Sequence, residues 1–501
     1  MHLPHLREKG ILGAALCAAA ALGAAVRPAR AQSPAPAPSP VPTSTPADTV
    51  PGGVPAGTAA DSLRDSVLLA RLQRAEEAIA LLRQQLAAQA ASATQASSRV
   101  RFDLSGRVLV NGFVNSRGVN NVDVPQFVRP DAVAGPRAGG IGGSVRQTTL
   151  SGVLFAPRVL GGAFTGDVNA DFYGGQQASP GGRHFPLVRL RNARGTLRWQ
   201  NAELMIGQDV PMVAAIEPVS VAAVGVAEFG TAGNLWIWLP QARLTLERAV
   251  AGGRRRQGAA GVGLGNEEND GALRVGVQAA VVAPSNGDAV GLFDTGVDAA
   301  ERSRRPFLQG RLRARWGEED RAGEVGVGYH RGWIVDPTGP PVGYIGSTAT
   351  VVNALLPLGG FGVVRFDVRG EAFRGQALRG LGGGGVAQTF AVAGVNTPTT
   401  GTTPAVQTTS VPLRTRGGWA QLNMRYLELF TVGAGCGVDA PQGTLAPAAA
   451  PRQRNNVCEG HAILRPEGPV LVGLTYRRTR TRYVAGPFVN DHVNVAVGYQ
   501  F

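Results

Sequence analysis

Arginine side chains recur at alternate positions in several segments of the chain. Arg311, Arg313 and Arg315 follow this spacing, and so do Arg189 and Arg191. Because side chains alternate between the two faces of a β-strand, each set would lie on one face. A guanidinium offers a planar set of donors that suits carboxylates and phosphates, and it stays charged at any relevant pH. The spacing therefore predicts strand faces that attract small anions, although pairing with Asp and Glu is the alternative for any single arginine.

The faces opposite these polar positions are apolar, which is typical of a wall between water and lipid. The last ten residues show this most clearly, because one face carries Val493, Val495, Val497, Tyr499 and Phe501. The other face carries His, Asn, Ala, Gly and Gln. Ten alternating residues match one pass of a tilted strand through a bilayer. An edge strand of a sandwich is the alternative for this segment.

Glycine-rich segments with the same alternation run from residue 98 to the end of the chain. They are separated by clusters of Gly, Asp, Asn and Pro. Short connections such as 317–323 alternate with long ones such as 377–412, as expected for turns on one side of a membrane and loops on the other. We therefore predict an all-β fold, a transmembrane antiparallel β-barrel over 98–501. Its length suggests about sixteen strands, with fourteen and eighteen as alternatives.

Three N-terminal segments precede the predicted barrel. Residues 1–31 contain Arg7, Lys9 and an apolar run before Ala29-Arg30-Ala31, which predicts a cleaved signal peptide. Residues 32–60 are dominated by Pro, Ala, Ser and Thr and form a linker. Residues 61–97 are predicted to form an α-helical coiled coil, with a lone amphipathic helix as the alternative. Its seam has alternating spacings of four and three residues: Leu68, Leu72, Ala75, Ile79, Leu82 and Leu86.

Two cysteines follow the predicted signal peptide, Cys436 and Cys458. An exported protein meets an oxidising compartment, so we predict a disulfide between them. Their segments look like neighbouring antiparallel strands that flank a Pro/Ala-rich loop, and a bridge would hold the base of that loop. A metal site is a poor alternative, because His461 is the one histidine nearby.

The segment between Gln208 and Leu239 is too apolar for a simple exposed loop. It is rich in Val, Ala, Phe and Trp, and Glu217 and Glu228 are among its few charges. One interpretation is that it folds into the barrel and narrows it. The other is that it forms a latch between subunits.

Several short passages carry a resemblance to one family: Arg146–Ser151, Arg189–Ala193, Ile206–Gln208, Leu239–Leu246, Gly418–Leu422 and the terminal strand. Together they resemble the DcaP-like trimeric porins of the outer membrane. The resemblance implies a homotrimer and a passive diffusion channel with some preference for small anionic solutes such as dicarboxylates. It also implies pore-lining roles for Arg146, Arg189, Arg191 and Arg243, whereas Arg311, Arg313 and Arg315 rest on their alternation.

The resemblance also implies a location and partners. Tyr499 and Phe501 resemble the C-terminal signal by which the barrel-insertion machinery recognises its substrates. We expect the barrel to contact outer-membrane lipid, with the coiled coil in the periplasm. The chain has a net charge of +14, but export argues against a nucleic-acid partner.

No catalytic pattern is present in the sequence. The histidines after the predicted signal peptide are His184, His330, His461 and His492, and none has the spacing of a Ser/His pair or a metal site. We therefore expect neither an enzyme nor a metal or other cofactor. The alternative function is structural, with the coiled coil and barrel tethering the outer membrane to the cell wall.

Overall fold

The computed structural model describes residues 100–501 except 137, 175–185, 252–270, 288–295, 318–320, 337–342, 397–405, 443–451 and 467. The predicted signal peptide, linker and coiled coil lie outside the described residues. Almost every described segment with period-two alternation forms a strand. The strands are β1 (Arg101–Asn115), β2 (Gly140–Ser144), β3 (Thr149–Val159), β4 (Gly162–Gly174), β5 (Leu187–Arg198), β6 (Ala202–Asp209), β7 (Leu239–Ala251), β8 (Gly271–Val282), β9 (Phe307–Gly317), β10 (Gly323–Val335), β11 (Tyr344–Phe361), β12 (Val364–Gln376), β13 (Phe390–Asn396), β14 (Val406–Pro412), β15 (Arg414–Tyr426), β16 (Phe430–Pro441), β17 (Arg452–Leu464), β18 (Val470–Tyr483) and β19 (Gly486–Gln500).

Within the described residues the strands close into a sixteen-stranded antiparallel barrel, as predicted. Closure comes from β1, which pairs with β19 over Arg107–Asn115. The other edge of β1 pairs with β3 along its first half and with the short β2 along its second half. β2 and β3 therefore share one position in the wall. The remaining pair, β13 and β14, forms a separate hairpin.

The two rims of the barrel differ in their connections. One rim, here called the turn rim, carries short turns such as 160–161, 362–363 and 427–429, together with the end of β19. The other, the loop rim, carries long connections such as 116–139 and 377–413. The first of these contains a single helical turn, α1 (Asp131–Ala134). This arrangement follows the prediction from the lengths of the connections, with two exceptions: the connection 252–270 belongs to the turn rim although it is long, and 484–485 belongs to the loop rim although it is short.

Side chains alternate between the inside and the outside of the barrel, as the sequence predicted. In β19, Val497 and Tyr499 are 42% and 47% exposed on the outer wall, whereas His492 and Asn494 are buried inside. The same alternation places Gln309 and Arg311 inside and Leu312 outside. No helix in the described part of the chain is long and apolar enough to cross a membrane.

The disulfide prediction is confirmed for the pairing and corrected for the position. Cys436 of β16 and Cys458 of β17 are direct cross-strand partners and are bonded to each other. Both side chains are exposed on the outer wall, five residues or more from the loop between the two strands. The bridge therefore joins the middle of two strands and does not hold the base of the loop.

Candidate functional site

Residues 210–238, here called the inner loop, connect β6 to β7 and lie inside the barrel. Inward side chains of distant strands bind its backbone. Asn111 donates to the carbonyl of Val221 over 3.3 Å, and Gln421 donates to that of Val219 over 2.9 Å. The Leu235 amide donates to a carboxylate oxygen of Glu371 on β12. These bonds attach the loop to several sides of the barrel interior, so the structure favours the interpretation that it narrows the barrel.

Apolar contacts also fix the inner loop to the barrel wall. Phe229 stacks on Trp419 of β15 with ring centroids 5.7 Å apart. Val221 packs in a second cluster with Leu109 and Leu471. The first turn of the loop, Met212–Ala214, joins a third and larger cluster. Burial of such surface stabilises by about 25 cal/mol per Å², which explains why this loop is so apolar in sequence.

Gly233 allows the closest approach between the inner loop and the wall. Its φ is +105°, in the left-handed region, and its Cα lies against the backbone of Gly418 on β15. A Cβ at this position would lie 2.3 Å from the carbonyl carbon of Gly418. Any other residue would therefore push the loop away from the wall.

A buried ion pair completes the attachment. Glu228 accepts from Arg477 of β18 over 2.5 Å, and each side chain is 1% exposed. Ser220 also donates to Glu228, over 3.1 Å. Burial raises the pKa of the Glu228 carboxyl, and the contact with Arg477 opposes that rise. The pair links the inner loop to a strand far away in sequence.

Two adjoining cavities remain between the inner loop and the opposite wall. The larger has a volume of about 710 Å³ and the smaller about 390 Å³. Both are lined by Arg191 of β5 and Glu217 of the inner loop. The lining of the larger cavity is strongly polar and contains five arginines and four carboxylates: Arg191, Arg194, Arg243, Arg311, Arg313, Asp167, Asp209, Glu217 and Glu324.

Asp209 binds two of these arginines. Arg194 of β5 lies 2.7 Å from it, and Arg243 of β7 lies 3.3 Å from it. Arg194 also contacts Asp167 of β4 at 2.8 Å. Asn192 donates to Asp209 over 2.9 Å. The positive charge of this part of the wall is therefore largely neutralised by the chain itself.

The three alternating arginines of β9 are also paired. Arg311 contacts Glu324 at 2.5 Å. Arg313 contacts Glu247 at 2.8 Å, and Arg315 contacts the same carboxylate. Glu247 lies on β7, so β7 and β10 supply the counter-charges for β9. The pairing explains how three inward arginines tolerate each other at close range.

The arginines of β5 lie against an aromatic side chain of the inner loop. Arg189 contacts Asp171 at 2.6 Å, whereas Arg191 lies 3.7 Å from the same carboxylate. Both guanidinium groups lie over the Trp238 ring, at 5.1 Å and 4.9 Å from its centroid. Arg191 is thus held in place with its charge only partly neutralised.

Arg107 of β1 lines the smaller cavity with Arg191. Among the described residues, no carboxylate lies within 4.0 Å of its guanidinium. Its charged neighbours are Arg191 and Arg465. Ser105, Thr149 and Ser151 are among the polar side chains beside it. Arg107 and Arg191 therefore bring positive charge to the smaller cavity that the described carboxylates neutralise only in part.

Known proteins share this architecture at low sequence identity. No protein-family model matches the sequence, and no curated protein matches it. The crystal structure of the outer membrane channel DcaP of Acinetobacter baumannii superposes with a TM-score of 0.52 and 13% identity, covering 80% of this chain and 97% of that one. The protein has the DcaP-like porin fold. The resemblance seen in the sequence is thus confirmed at the level of fold.

Two further solved structures are similar at lower scores. The anion-selective porin from Comamonas acidovorans has a TM-score of 0.46 and 9% identity, covering 80% of this chain and 100% of that one. OprB of Pseudomonas putida has a TM-score of 0.46 and 10% identity, covering 80% and 94%.

Within the DcaP-like fold, the arginines singled out in the sequence occupy different places. Arg191, Arg243, Arg311 and Arg313 line the larger cavity. Arg315 lines a small cavity beside Glu247 on the turn-rim side. Arg189 lies beneath Trp238. Arg146 is 1% exposed between Asp123, at 2.9 Å, and the ring of Tyr173.

Sequence reasoning missed Arg107, Arg194 and the inward carboxylates. The alternation of the first strand puts Arg107 on its polar face with Asp103 and Ser105, but nothing in the sequence marks it as unpaired. Arg194 was missed because β5 has a bulge at Arg191, opposite Asn169 and Ala170, which shifts the alternation by one residue. The alternating pattern of β7 did contain Glu247 beside Arg243, which was the available signal for a paired wall.

Proposed function

We propose that the protein is an outer-membrane porin, a passive diffusion channel that favours small anionic solutes such as dicarboxylates. The main support for a channel is the pair of polar cavities, which lie between the inner loop and the wall formed by β1 and β3–β10. A loop that fills one side of a barrel leaves a narrower passage on the other. Selection in such a passage depends on size and charge and involves no chemistry.

The preference for anions rests on Arg107 and Arg191. At an effective dielectric constant of about 20, a unit charge 4 Å away contributes about 4 kcal/mol, whereas a paired charge contributes much less. The two guanidinium groups line one cavity, so one solute with two carboxylates can engage both. The proposal differs from the sequence prediction, which named seven arginines as pore-lining, left pairing with Asp and Glu open for each, and did not include Arg107.

The proposed location is the outer membrane, with the turn rim and residues 61–97 in the periplasm. Support comes from the predicted signal peptide, the apolar outer wall and the exposed Tyr499 and Phe501 at the end of the chain.

We also propose a homotrimer held in part by the predicted coiled coil. Deletion of residues 61–91 is expected to weaken subunit association and leave folded barrels, as measured by native mass spectrometry. Trimers of unchanged stability would contradict a role for the coiled coil.

The channel proposal is tested by single-channel recording in planar bilayers under a salt gradient. We expect stepwise currents and a reversal potential that shows preference for chloride over potassium. Cation preference would contradict the role of Arg107 and Arg191. Absence of current from protein shown to be folded by circular dichroism would contradict the channel and favour the envelope tether.

A further inference from the structure

A second set of arginines faces outward near the loop rim. They lie in the loop-rim halves of four strands, and all are exposed. Some of them are direct cross-strand neighbours of one another: Arg374 lies opposite Arg416, and Arg454 lies opposite Arg482. Like charges directly opposite each other on a sheet are destabilising. The set, here called the outer arginines, is Arg374 on β12, Arg414 and Arg416 on β15, Arg454 on β17, and Arg478, Arg480 and Arg482 on β18.

The described part of the chain supplies almost no counter-charge for the outer arginines. Arg478 lies 3.7 Å from Asp491, and both side chains are about half exposed. For the other six, no described carboxylate lies within 4.0 Å. Arg454 donates to the amide oxygen of Asn456, over 3.0 Å. Most of this charge is therefore available to an anion from outside the described chain.

Arg416 and Arg454 flank a groove of about 680 Å³ on the outer wall. Its floor is made of small or apolar outward residues: Ala372, Gly418, Ala420, Cys436, Val438 and Ala440. The disulfide of Cys436 holds β16 to β17 under this groove. The site thus combines two guanidinium groups with an apolar floor that continues toward the turn rim.

The height of the groove matches a membrane boundary. On β15 the outward residues from Gly418 to Tyr426 carry no charge, and at about 3.4 Å per residue on a tilted strand they span about 20 Å. An outer-membrane barrel has an apolar band of about 25 Å. Arg414 and Arg416 come directly after this band, at the level of lipid headgroups on the loop-rim side.

We propose that this groove binds a phosphate-bearing glycolipid of the outer leaflet, with its phosphates on Arg416 and Arg454 and an acyl chain along the small-residue floor. Arginine binds phosphate through two parallel hydrogen bonds, which explains the residue type. The other outer arginines extend the same charged surface along the boundary. The inference rests on the proposed placement in an outer membrane and concerns the outer wall, so it is independent of solute selection inside the barrel.

The test measures binding of bisphosphorylated lipid A to the full-length protein in detergent by native mass spectrometry. The variant Arg416→Gln/Arg454→Gln is expected to bind at least about tenfold more weakly, because two charge-assisted contacts are lost. The control Arg248→Gln removes an exposed outward arginine near the turn rim and is expected to bind normally. Dephosphorylated lipid A is expected to bind the unmodified protein as weakly as the variant binds lipid A.

Several results would overturn the proposal. Equal binding by the variant and the control, or equal binding of the dephosphorylated lipid, would exclude phosphate recognition at the groove. Complete competition by inorganic phosphate would assign the site to free anions. Loss of the oligomer in the variant with unchanged lipid binding would assign the groove to a second copy of the chain. Single-channel recording of the variant separates these results from a failure of the channel proposal, since its reversal potential is expected to stay unchanged.

Discussion

The arginines inside the barrel and those on its outer wall obtain their counter-charges from different sources. Inside, Asp209, Glu247 and Glu324 contact arginines of other strands at 2.5 to 3.3 Å. Outside, among the described residues, only Arg478 lies near a carboxylate. An arginine at an alternate position of a strand is therefore not by itself a sign of a surface that attracts anions. Its charge acts at a distance only where the fold leaves it unpaired.

The largest expected effect comes from breaking the buried ion pair that holds the inner loop. Glu228→Gln leaves Arg477 buried without its partner, which typically costs about 3–5 kcal/mol. Ser220→Ala is the control, because it removes no charge. It loses the hydrogen bond to the same carboxylate and those from the Ala222 and Ala223 amides, and it is expected to cost about 1–2 kcal/mol. Denaturant unfolding followed by circular dichroism measures both. Equal losses for the two variants would show that the ion pair does not hold the inner loop.

A second prediction removes an inward counter-charge from the cavity wall. Asp209→Asn leaves Arg243 without a carboxylate and Arg194 with Asp167 alone among the described carboxylates. The chloride-to-potassium permeability ratio is expected to rise by about threefold, because the freed charges then act on passing ions. The control Asp491→Asn removes the same charge from the outer wall. Equal reversal potentials for both variants would contradict the neutralisation argument.

The smallest expected effect belongs to a paired inward arginine. In Arg243→Gln, Asp209 keeps its contact with Arg194 at 2.7 Å and remains neutralised. The permeability ratio is therefore expected to change by less than about twofold. A reduction as large as that of an unpaired arginine, measured by the same reversal potential, would show that pairing does not screen these charges.

The sequence predicted the barrel because alternation is a local property of strands. Val497 and Tyr499 outside and His492 and Asn494 inside followed directly from their spacing. Counter-charges did not follow, because Glu247 meets Arg313 across 66 residues of sequence and such pairs depend on the register between strands. The bulge at Arg191 hid Arg194 for a related reason, since one inserted residue reverses the faces of a strand.

The inner loop shows a different limit of sequence reasoning. Its apolar composition indicated burial, but burial inside the barrel and burial between subunits give the same pattern. The structure decides between them through contacts such as Val221 with Leu109 and Leu471, which lie inside the barrel wall. Nothing in the sequence marked Gly233 as a contact with the wall, because that contact is with Gly418, which is distant in sequence.

The most direct test compares one unpaired inward arginine with one outward arginine under identical conditions. Arg107→Gln and Arg416→Gln remove the same charge, and their reversal potentials are measured in planar bilayers under one salt gradient. The account predicts that Arg107→Gln lowers the chloride-to-potassium permeability ratio by about threefold and that Arg416→Gln leaves it unchanged. Equal effects of the two substitutions would contradict the claim that unpaired inward arginines set the selectivity.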